Sequence, residues 1–231
     1  MLSLKKLLFL FRSRAGFFIY VVFFKTKLKN LFFKRQIIKK KREHEFFLKN
    51  KKISHDYFSS HAFNFFEIGC KFKKFNFLEI GSFEGNSAMF MAKNFKDAQI
   101  DCIDNWVGTE EYQNLKFSDL EKNFDYNVDE FKNIKKFKML SDDFFKNNNS
   151  LYDVIYVDGY HKGYQVFKDF INSWKILNNN GVIIFDDYIW QFFKDIRDNP
   201  CFVINKYLAE ISNEVRILKV SNSQLFIQKK L

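Results

Sequence analysis

The sequence predicts an α/β fold: a doubly wound, mostly parallel sheet that ends in a C-terminal antiparallel hairpin. Apolar runs alternate with helical patterns from residue 77 to residue 211, and such alternation is typical of a doubly wound sheet. The apolar runs at 153–157 and 182–185 lack polar alternation, as expected for parallel strands covered on both faces. Residues 214–220 and 224–229 follow the last predicted helix as two short strands, which indicates the terminal hairpin.

A glycine turn follows the first predicted strand and opens a helix. Gly81 and Gly85 stand four residues apart. Glycines let a ligand approach the backbone closely, and the N-terminus of the helix offers free N–H groups. The turn reads E-x-G-x-x-x-G, whereas the dinucleotide fingerprint reads G-x-G-x-x-G. The missing glycine disfavours an NAD-dependent oxidoreductase.

Acidic side chains end four of the predicted strands. Glu79 lies at the end of the first strand, and Asp104 ends the second, 19 residues after Gly85. A doubly wound nucleotide site places a carboxylate at about this spacing to accept hydrogen bonds from ribose hydroxyls. We therefore expect Asp104 to bind a nucleotide-like cofactor; the alternative is a surface aspartate at a strand end.

Three more aspartates follow the next two buried strands. Asp158 comes after the strand at 153–157, and Asp186 and Asp187 come after the strand at 182–185. Neighbouring strands lie about 4.8 Å apart, so these carboxylates could converge on one hard cation such as Mg²⁺. The alternative is that Asp186 and Asp187 cap their strand and bind loop amides.

His161 is the best candidate for a general base. It follows Asp158 by three residues, and the unperturbed pKa of histidine lies near neutrality. Asp158 joins it as the second candidate catalytic residue. Aromatic side chains near the same strand ends are expected to line a small-molecule pocket; they are Trp106, Tyr160, Tyr164 and Tyr188.

The positive charge of the chain is confined to its N-terminal arm. The net charge is +11 at pH 7, yet residues 1–42 contain 13 Lys and Arg and no acid, which leaves 25 basic and 27 acidic residues elsewhere. The rest of the chain lacks the basic footprint of a nucleic-acid enzyme, so no nucleic-acid partner is expected. The sequence thus divides into an arm, residues 1–52, and a domain, residues 53–231.

The arm has two interpretations. Its apolar runs at 7–11 and 16–24 are shorter than the roughly 20 residues that span a bilayer. Either it is a basic helix lying on an anionic membrane surface, or it is an ordinary first helix that caps the domain or contacts a second copy in a homo-oligomer. Three cysteines without CxxC spacing favour a cytoplasmic compartment, and membrane binding would place the protein at the inner face of the membrane.

Four runs of the sequence resemble successive motifs of class I S-adenosylmethionine-dependent methyltransferases of the Methyltransf_24 type, a bacterial group of O-methyltransferases. The similarity covers about residues 55–231. The four runs are LEIGSFEGNSAMF, IDCIDNW, DVIYVDGYHKGYQVFKDF and NNGVIIFDDYIW.

The resemblance implies S-adenosylmethionine as the cofactor and assigns residues to it. The cofactor would lie near Glu79, Gly81, Ser82, Gly85 and Asp104, with its adenine near Ser141 and Asp142. Related antibiotic-sugar O-methyltransferases bind Mg²⁺ through aspartates that match Asp158, Asp186 and Asp187. Their catalytic base is an aspartate two residues after the first metal ligand. Tyr160 holds that position here, so His161 would act instead.

The sequence therefore predicts O-methylation of a small molecule or glycan. A nucleic-acid methyltransferase is disfavoured, because the fourth strand is followed by Asp158-Gly159-Tyr160-His161 rather than by a Pro-Pro-aromatic run, and Pro200-Cys201 lies after the wrong strand for a cytosine nucleophile. The alternative of another class is a non-enzymatic, membrane-associated protein that keeps the fold with a degenerate site.

Overall fold

The computed structural model describes residues 4–110 and 117–231, which form seven strands and nine helices. The strands are β1 Asn76–Ile80, β2 Gln99–Asp104, β3 Ile134–Lys138, β4 Tyr152–Val157, β5 Leu177–Phe185, β6 Val215–Val220 and β7 Leu225–Lys229. The helices are α1 Leu4–Arg12, α2 Phe17–Phe32, α3 Lys34–Leu48, α4 Ala62–Gly69, α5 Asn86–Asn94, α6 Phe117–Val128, α7 Ser141–Asn147, α8 Gly163–Ile176 and α9 Pro200–Glu210.

The seven strands form one mixed sheet in the order β3-β2-β1-β4-β5-β7-β6. β1 pairs in parallel with β2, β2 with β3, and β4 with β5. β7 runs antiparallel to both β5 and β6. All side chains of residues 182–185 are buried, which explains why that run lacks polar alternation. The predicted fold class, mostly parallel with an antiparallel C-terminal hairpin, is confirmed.

One strand begins earlier than predicted. β5 starts at Leu177, directly after α8, and not at residue 182. Asn180 has a positive φ of 62°, and the pairing with β4 shifts register near Tyr152 and Val154. The polar stretch at 178–181 therefore interrupts the pairing without ending the strand.

The described residues fall into two compact units. The C-terminal unit comprises residues 4–29 and 149–231, and the central unit comprises residues 30–148. The C-terminal unit is thus discontinuous in sequence, because α1 and most of α2 belong with the last third of the chain. The division into an arm, residues 1–52, and a domain, residues 53–231, stays a prediction.

The first two helices contribute to the core of the C-terminal unit. Leu10, Ile19 and Phe23 are buried. Nδ2 of Asn205 in α9 donates to the backbone oxygen of Ser13 at 3.0 Å. These contacts support the interpretation of the arm as helices that cap the fold. Among the described residues, no helix is long and apolar enough to cross a membrane.

The core of the central unit is aromatic. Phe58 packs against Phe65 and Phe90, with ring centroids 4.9 and 5.3 Å apart. His44 of α3 lies among these rings and its Nε2 is 2.6 Å from Oδ1 of Asn86, the first residue of α5. Burial lowers the pKa of His44. The histidine therefore helps to hold the start of α5, which follows the glycine turn.

Candidate active site

The glycine turn, residues 81–85, joins β1 to α5 in a conformation that requires glycine. Gly81 and Gly85 have φ values of 87° and 79°, a region that side chains with a Cβ rarely adopt. A Cβ on Gly85 would lie 3.0 Å from Val128 Cγ1 and 3.1 Å from Phe124 Cδ2. The backbone N–H of Gly81 donates to the oxygen of Ile103 at 2.8 Å. The turn is therefore fixed against the end of β2.

Asp104 lies beside this turn and binds its backbone. Its Oδ2 accepts a hydrogen bond from the N–H of Phe83 at 3.0 Å, and its Oδ1 accepts one from the N–H of Trp106 at 2.8 Å. Desolvation raises the pKa of Asp104, and hydrogen bonds from the backbone N–H groups of Trp106, Phe83, Asn105 and Ser82 oppose the rise. Backbone amides therefore hold this carboxylate beside the glycine turn.

Glu79 and Ser82 are both buried at the turn. The carboxylate of Glu79 accepts hydrogen bonds from Ser87 Oγ in α5 and from Cys102 Sγ in β2. It therefore ties β1 to the two elements that flank the turn. The buried hydroxyl of Ser82 interacts with the Cys102 thiol, although within the described residues it makes no hydrogen bond of ordinary geometry. Both buried polar side chains therefore contact Cys102, which ties the glycine turn to β2.

The two residues predicted to lie near adenine are close to Asp104 along the backbone. Ser141 and Asp142 begin α7, directly after β3. The N–H of Met139 donates to the backbone oxygen of Asp104 at 3.1 Å, so the β3–α7 junction lies at the same edge of the sheet as the glycine turn. The structure thus brings the predicted cofactor residues of the central unit together.

In the C-terminal unit, acidic side chains meet at the ends of β4 and β5. Val157 pairs with Phe185, so Asp158 and Asp186 follow directly paired residues. The hydroxyl of Tyr156 is 2.8 Å from Oδ2 of Asp158 and also hydrogen-bonds Oδ2 of Asp186. Nε2 of Gln224 donates to the same Asp186 oxygen at 3.1 Å. We call Tyr156, Asp158, His161, Asp186 and Asp187 the carboxylate cluster.

Burial and the neighbouring Asp186 charge raise the pKa of Asp158 to about 7. Burial, followed by the two carboxylates, raises the pKa of Tyr156 well above its ordinary value, so its hydroxyl keeps its proton. One hydroxyl proton can be donated to only one of two carboxylates. Below about pH 7, Asp158 can carry a proton as well.

His161 lies among the same carboxylates. Its Nε2 is 3.4 Å from Oδ1 of Asp158 and 3.7 Å from Oδ2 of Asp187. The side chain is only 5% exposed and its ring packs on Trp190, with centroids 5.1 Å apart. A protonated His161 would be stabilised by both carboxylates, which is a suitable arrangement for a general base.

The predicted magnesium site at Asp158, Asp186 and Asp187 stays a prediction. Among the described residues, no group of three or more His, Cys, Asp or Glu side chains is placed to hold a metal ion. The hydroxyl of Tyr156 hydrogen-bonds Asp158 and Asp186, and Nε2 of Gln224 donates to Asp186. Two of the three predicted carboxylate ligands therefore already accept hydrogen bonds from protein side chains.

The aromatic surroundings differ in part from the prediction. Tyr160 and Tyr164 lie near each other, with ring centroids 6.1 Å apart. Tyr188 was expected to line a pocket, but it is fully buried and its hydroxyl donates to Asn205 at 2.6 Å. The sequence reasoning missed Trp190, which contacts His161 and stacks on Phe192 at 5.1 Å.

Two sequence comparisons match parts of this chain. The family model Methyltransf_24, described as a methyltransferase domain, matches residues 78–188. An uncharacterized protein of Acanthamoeba polyphaga mimivirus is 30% identical over 140 residues, which span 58% of this chain and 60% of that protein.

Two solved structures show the fold. An O-methyltransferase from Bacillus cereus in complex with SAH has a TM-score of 0.58 at 13% identity, covering 92% of this chain and 100% of that chain. MycE methyltransferase from the mycinamycin biosynthetic pathway, in complex with Mg and SAH, has a TM-score of 0.56 at 13% identity, covering 76% of this chain and 51% of that chain. Residues 78–188 are therefore similar to the Methyltransf_24 methyltransferase domain, and the chain has the Rossmann-like fold of these solved methyltransferases.

Proposed function

We propose that this protein transfers the methyl group of S-adenosylmethionine to a hydroxyl oxygen of a small molecule or glycan. The observation that carries the proposal is the hydrogen-bonding of Asp104 to the amides of Phe83 and Trp106 beside the glycine turn. This arrangement holds a carboxylate where the ribose of a nucleotide-like cofactor would meet it. The family match and the SAH complex of the Bacillus cereus enzyme support the choice of cofactor.

The cofactor residues have distinct proposed roles. Gly81, Ser82 and Gly85 allow the cofactor to approach the backbone, and Asp104 accepts hydrogen bonds from its ribose hydroxyls. Glu79 acts indirectly, because its carboxylate already joins Ser87 to Cys102. The remaining two predicted residues, at the start of α7, would lie near the adenine; they are Ser141 and Asp142.

The carboxylate cluster is proposed to activate the acceptor hydroxyl. S-adenosylmethionine, when bound, supplies an electrophilic methyl carbon whose bond to sulfur breaks with its electron pair leaving on sulfur. The acceptor O–H bond loses its proton to Nε2 of His161 as the new O–C bond forms. Asp158 and Asp187, both within 3.7 Å of that nitrogen, stabilise the resulting imidazolium.

The dependence of methyl transfer on a metal ion is a separate point, to be decided by measurement. The Mg in the MycE complex shows that a methyltransferase of this fold holds the ion. In this chain, Asp158 and Asp186 are bonded by Tyr156 instead. We therefore assign no step to Mg²⁺, and we expect turnover to persist in the presence of a chelator.

Cofactor binding is the first test of the proposal. Calorimetry with S-adenosylmethionine and S-adenosylhomocysteine should use the full chain, because Leu10 and Ile19 of the arm are part of the core. We expect micromolar binding that Asp104→Asn weakens at least about tenfold, which corresponds to the loss of about 1.4 kcal/mol. Asp101→Asn, three residues earlier in β2, is the matched control and should leave the affinity unchanged.

Two outcomes would contradict the proposal. A folded protein that binds neither compound would favour the non-enzymatic alternative, in which the fold is kept and the site is degenerate. Equal affinity of the Asp104→Asn protein would remove the proposed role of that carboxylate. If binding is found, screening of hydroxyl, amine and thiol acceptors by mass spectrometry decides which atom receives the methyl group.

A further inference from the structure

The outer face of α2 is apolar and exposed to solvent. Phe17, Phe24, Leu28 and Leu31 are each more than half exposed, from 58% to 76%. At about 100° per residue, these four side chains fall within an arc of about 60°. The opposite face carries the buried Ile19, Phe23 and Thr26. The helix therefore has apolar side chains on both its packed face and its free face.

The preceding helix α1 also carries exposed apolar side chains. Leu8 and Phe11 are 53% and 77% exposed, while Leu10 is fully buried. Phe18 and Phe32 widen the arc on α2. Soluble monomers rarely expose large contiguous apolar patches unless these contact a partner or a membrane. The outer face of α2 therefore indicates an interaction surface.

Lysines flank this apolar stripe on both sides. On the same helical projection, Lys29 and Lys27 lie at the two edges of the widened arc, and Lys25 lies within it, between Phe32 and Phe18. The basic surplus is a property of the whole segment, because residues 1–42 contain 13 Lys and Arg and no acid. The surface thus offers an apolar stripe with a positive border.

The distribution of charge on this surface indicates which kind of partner it binds. A symmetric dimer through this face would bring two sets of like charges together, which is unfavourable. A single-stranded nucleic acid would use aromatic rings for stacking but would leave Leu28 and Leu31 without apolar contacts. An anionic lipid surface satisfies both features, because lysines contact headgroups while Phe and Leu enter the acyl boundary. We propose that the outer face of α2 docks the protein, in the plane of the interface, on an anionic lipid surface.

Vesicle binding of the full chain tests this proposal. We expect co-sedimentation with phosphatidylglycerol vesicles and at least about tenfold weaker binding to phosphatidylcholine vesicles, because the lysine border has no anionic partner there. Raising the ionic strength should weaken binding to the anionic vesicles, since salt screens the attraction. Absence of binding to anionic vesicles at low salt would overturn the proposal.

Paired variants locate the surface. The double variant Phe24→Ser and Leu28→Ser should lower vesicle affinity at least about tenfold, because two buried apolar contacts are lost. The matched control, Tyr126→Ser and Leu231→Ser, also removes two exposed apolar side chains and should bind as the unaltered chain does. Circular dichroism confirms that both variants fold.

Self-association is the competing outcome. Light scattering over a range of protein concentrations should show no oligomer that depends on Phe24 and Leu28. An oligomer that the double variant dissociates, without any vesicle binding by the unaltered chain, would assign the surface to a second copy and overturn the lipid proposal. Equal vesicle binding by the double variant and its control would also overturn it. None of these readouts depends on methyl transfer.

Discussion

The hydroxyl of Tyr156 lies 2.8 Å from Oδ2 of Asp158, which directly follows the end of β4. The same hydroxyl contacts Asp186 on the adjacent strand, so one donor serves two carboxylates. This hydrogen bonding keeps like charges together at the edge of the sheet. It also makes the protonation of Asp158 part of the stability of the C-terminal unit.

Removing the Tyr156 hydroxyl should destabilise the fold in a pH-dependent way. Tyr156→Phe leaves two neighbouring carboxylates without their shared donor, and we expect the free energy of unfolding to fall by about 1–3 kcal/mol at pH 8. The loss should be smaller at pH 6, where Asp158 can be protonated and donate to Asp186. Urea denaturation at the two pH values measures this difference. Tyr164→Phe, which removes a hydroxyl from an exposed ring, is the control; an equal loss at both pH values would contradict the account.

Asp158 should also shape the pH dependence of stability in the unaltered chain. Its pKa is raised from 3.8 to about 7 by burial and by Asp186. The folded state therefore binds more protons than the unfolded state between these values, and this contribution to the free energy of unfolding is lost as pH rises through about 7. Asp158→Asn should abolish that part of the slope, measured by urea denaturation from pH 4 to pH 8. The exposed Asp97→Asn should preserve it, and an unchanged slope in Asp158→Asn would refute the prediction.

His161 should affect the transfer step and spare cofactor binding. For His161→Ala we expect methyl transfer to slow at least about a hundredfold, because a general base contributes about 10²–10⁴ in rate. Affinity for S-adenosylhomocysteine, measured by calorimetry, should be unchanged. Added imidazole should restore part of the rate, which a purely structural role would not predict. The control His55→Ala, at an exposed position, should have normal turnover, and a normal rate in His161→Ala would remove the base assignment.

Gly85 should tolerate no side chain. Gly85→Ala places a Cβ at a φ of 79° and within 3.1 Å of two side chains, so we expect a loss of about 1–3 kcal/mol. Gly16→Ala is the matched control, because nothing lies within 4 Å of its added Cβ; it should be neutral or slightly stabilising. Thermal unfolding of the two variants measures the contrast. Similar melting temperatures would show that the turn relaxes.

The glycine turn and the strand-end acids were predictable because backbone chemistry demands them. Gly81 and Gly85 take φ values that other residues avoid, and a parallel sheet brings Asp158 and Asp186 to one edge whatever the details of packing. Tyr156 could also have been found. Side chains two apart on a strand share a face, so a tyrosine two residues before Asp158 points to the same side.

Other features of the site required the tertiary structure. Gln224 reaches Asp186 only because β7 pairs with β5. The sequence of a hairpin does not show which other strand the hairpin pairs with. Tyr188 follows a strand end as predicted, yet its ring enters the core and bonds Asn205. The position of a residue along the chain predicts at which end of the sheet its loop lies. The direction in which its side chain points depends on packing.

The hydrogen bond between Asn205 and Ser13 joins residues 192 positions apart, and this has a consequence for biosynthesis. At about 5–20 residues per second, a ribosome needs about 10–40 s to make the second partner after the first. During that time Leu10 and Ile19, both core residues, have emerged without the segment that covers them. These residues are thus buried only after the segment that covers them has been made. Loss of α9 and of the strands after it through a premature stop codon would remove Asn205, the partner of Ser13, and such products are expected to aggregate or to be degraded.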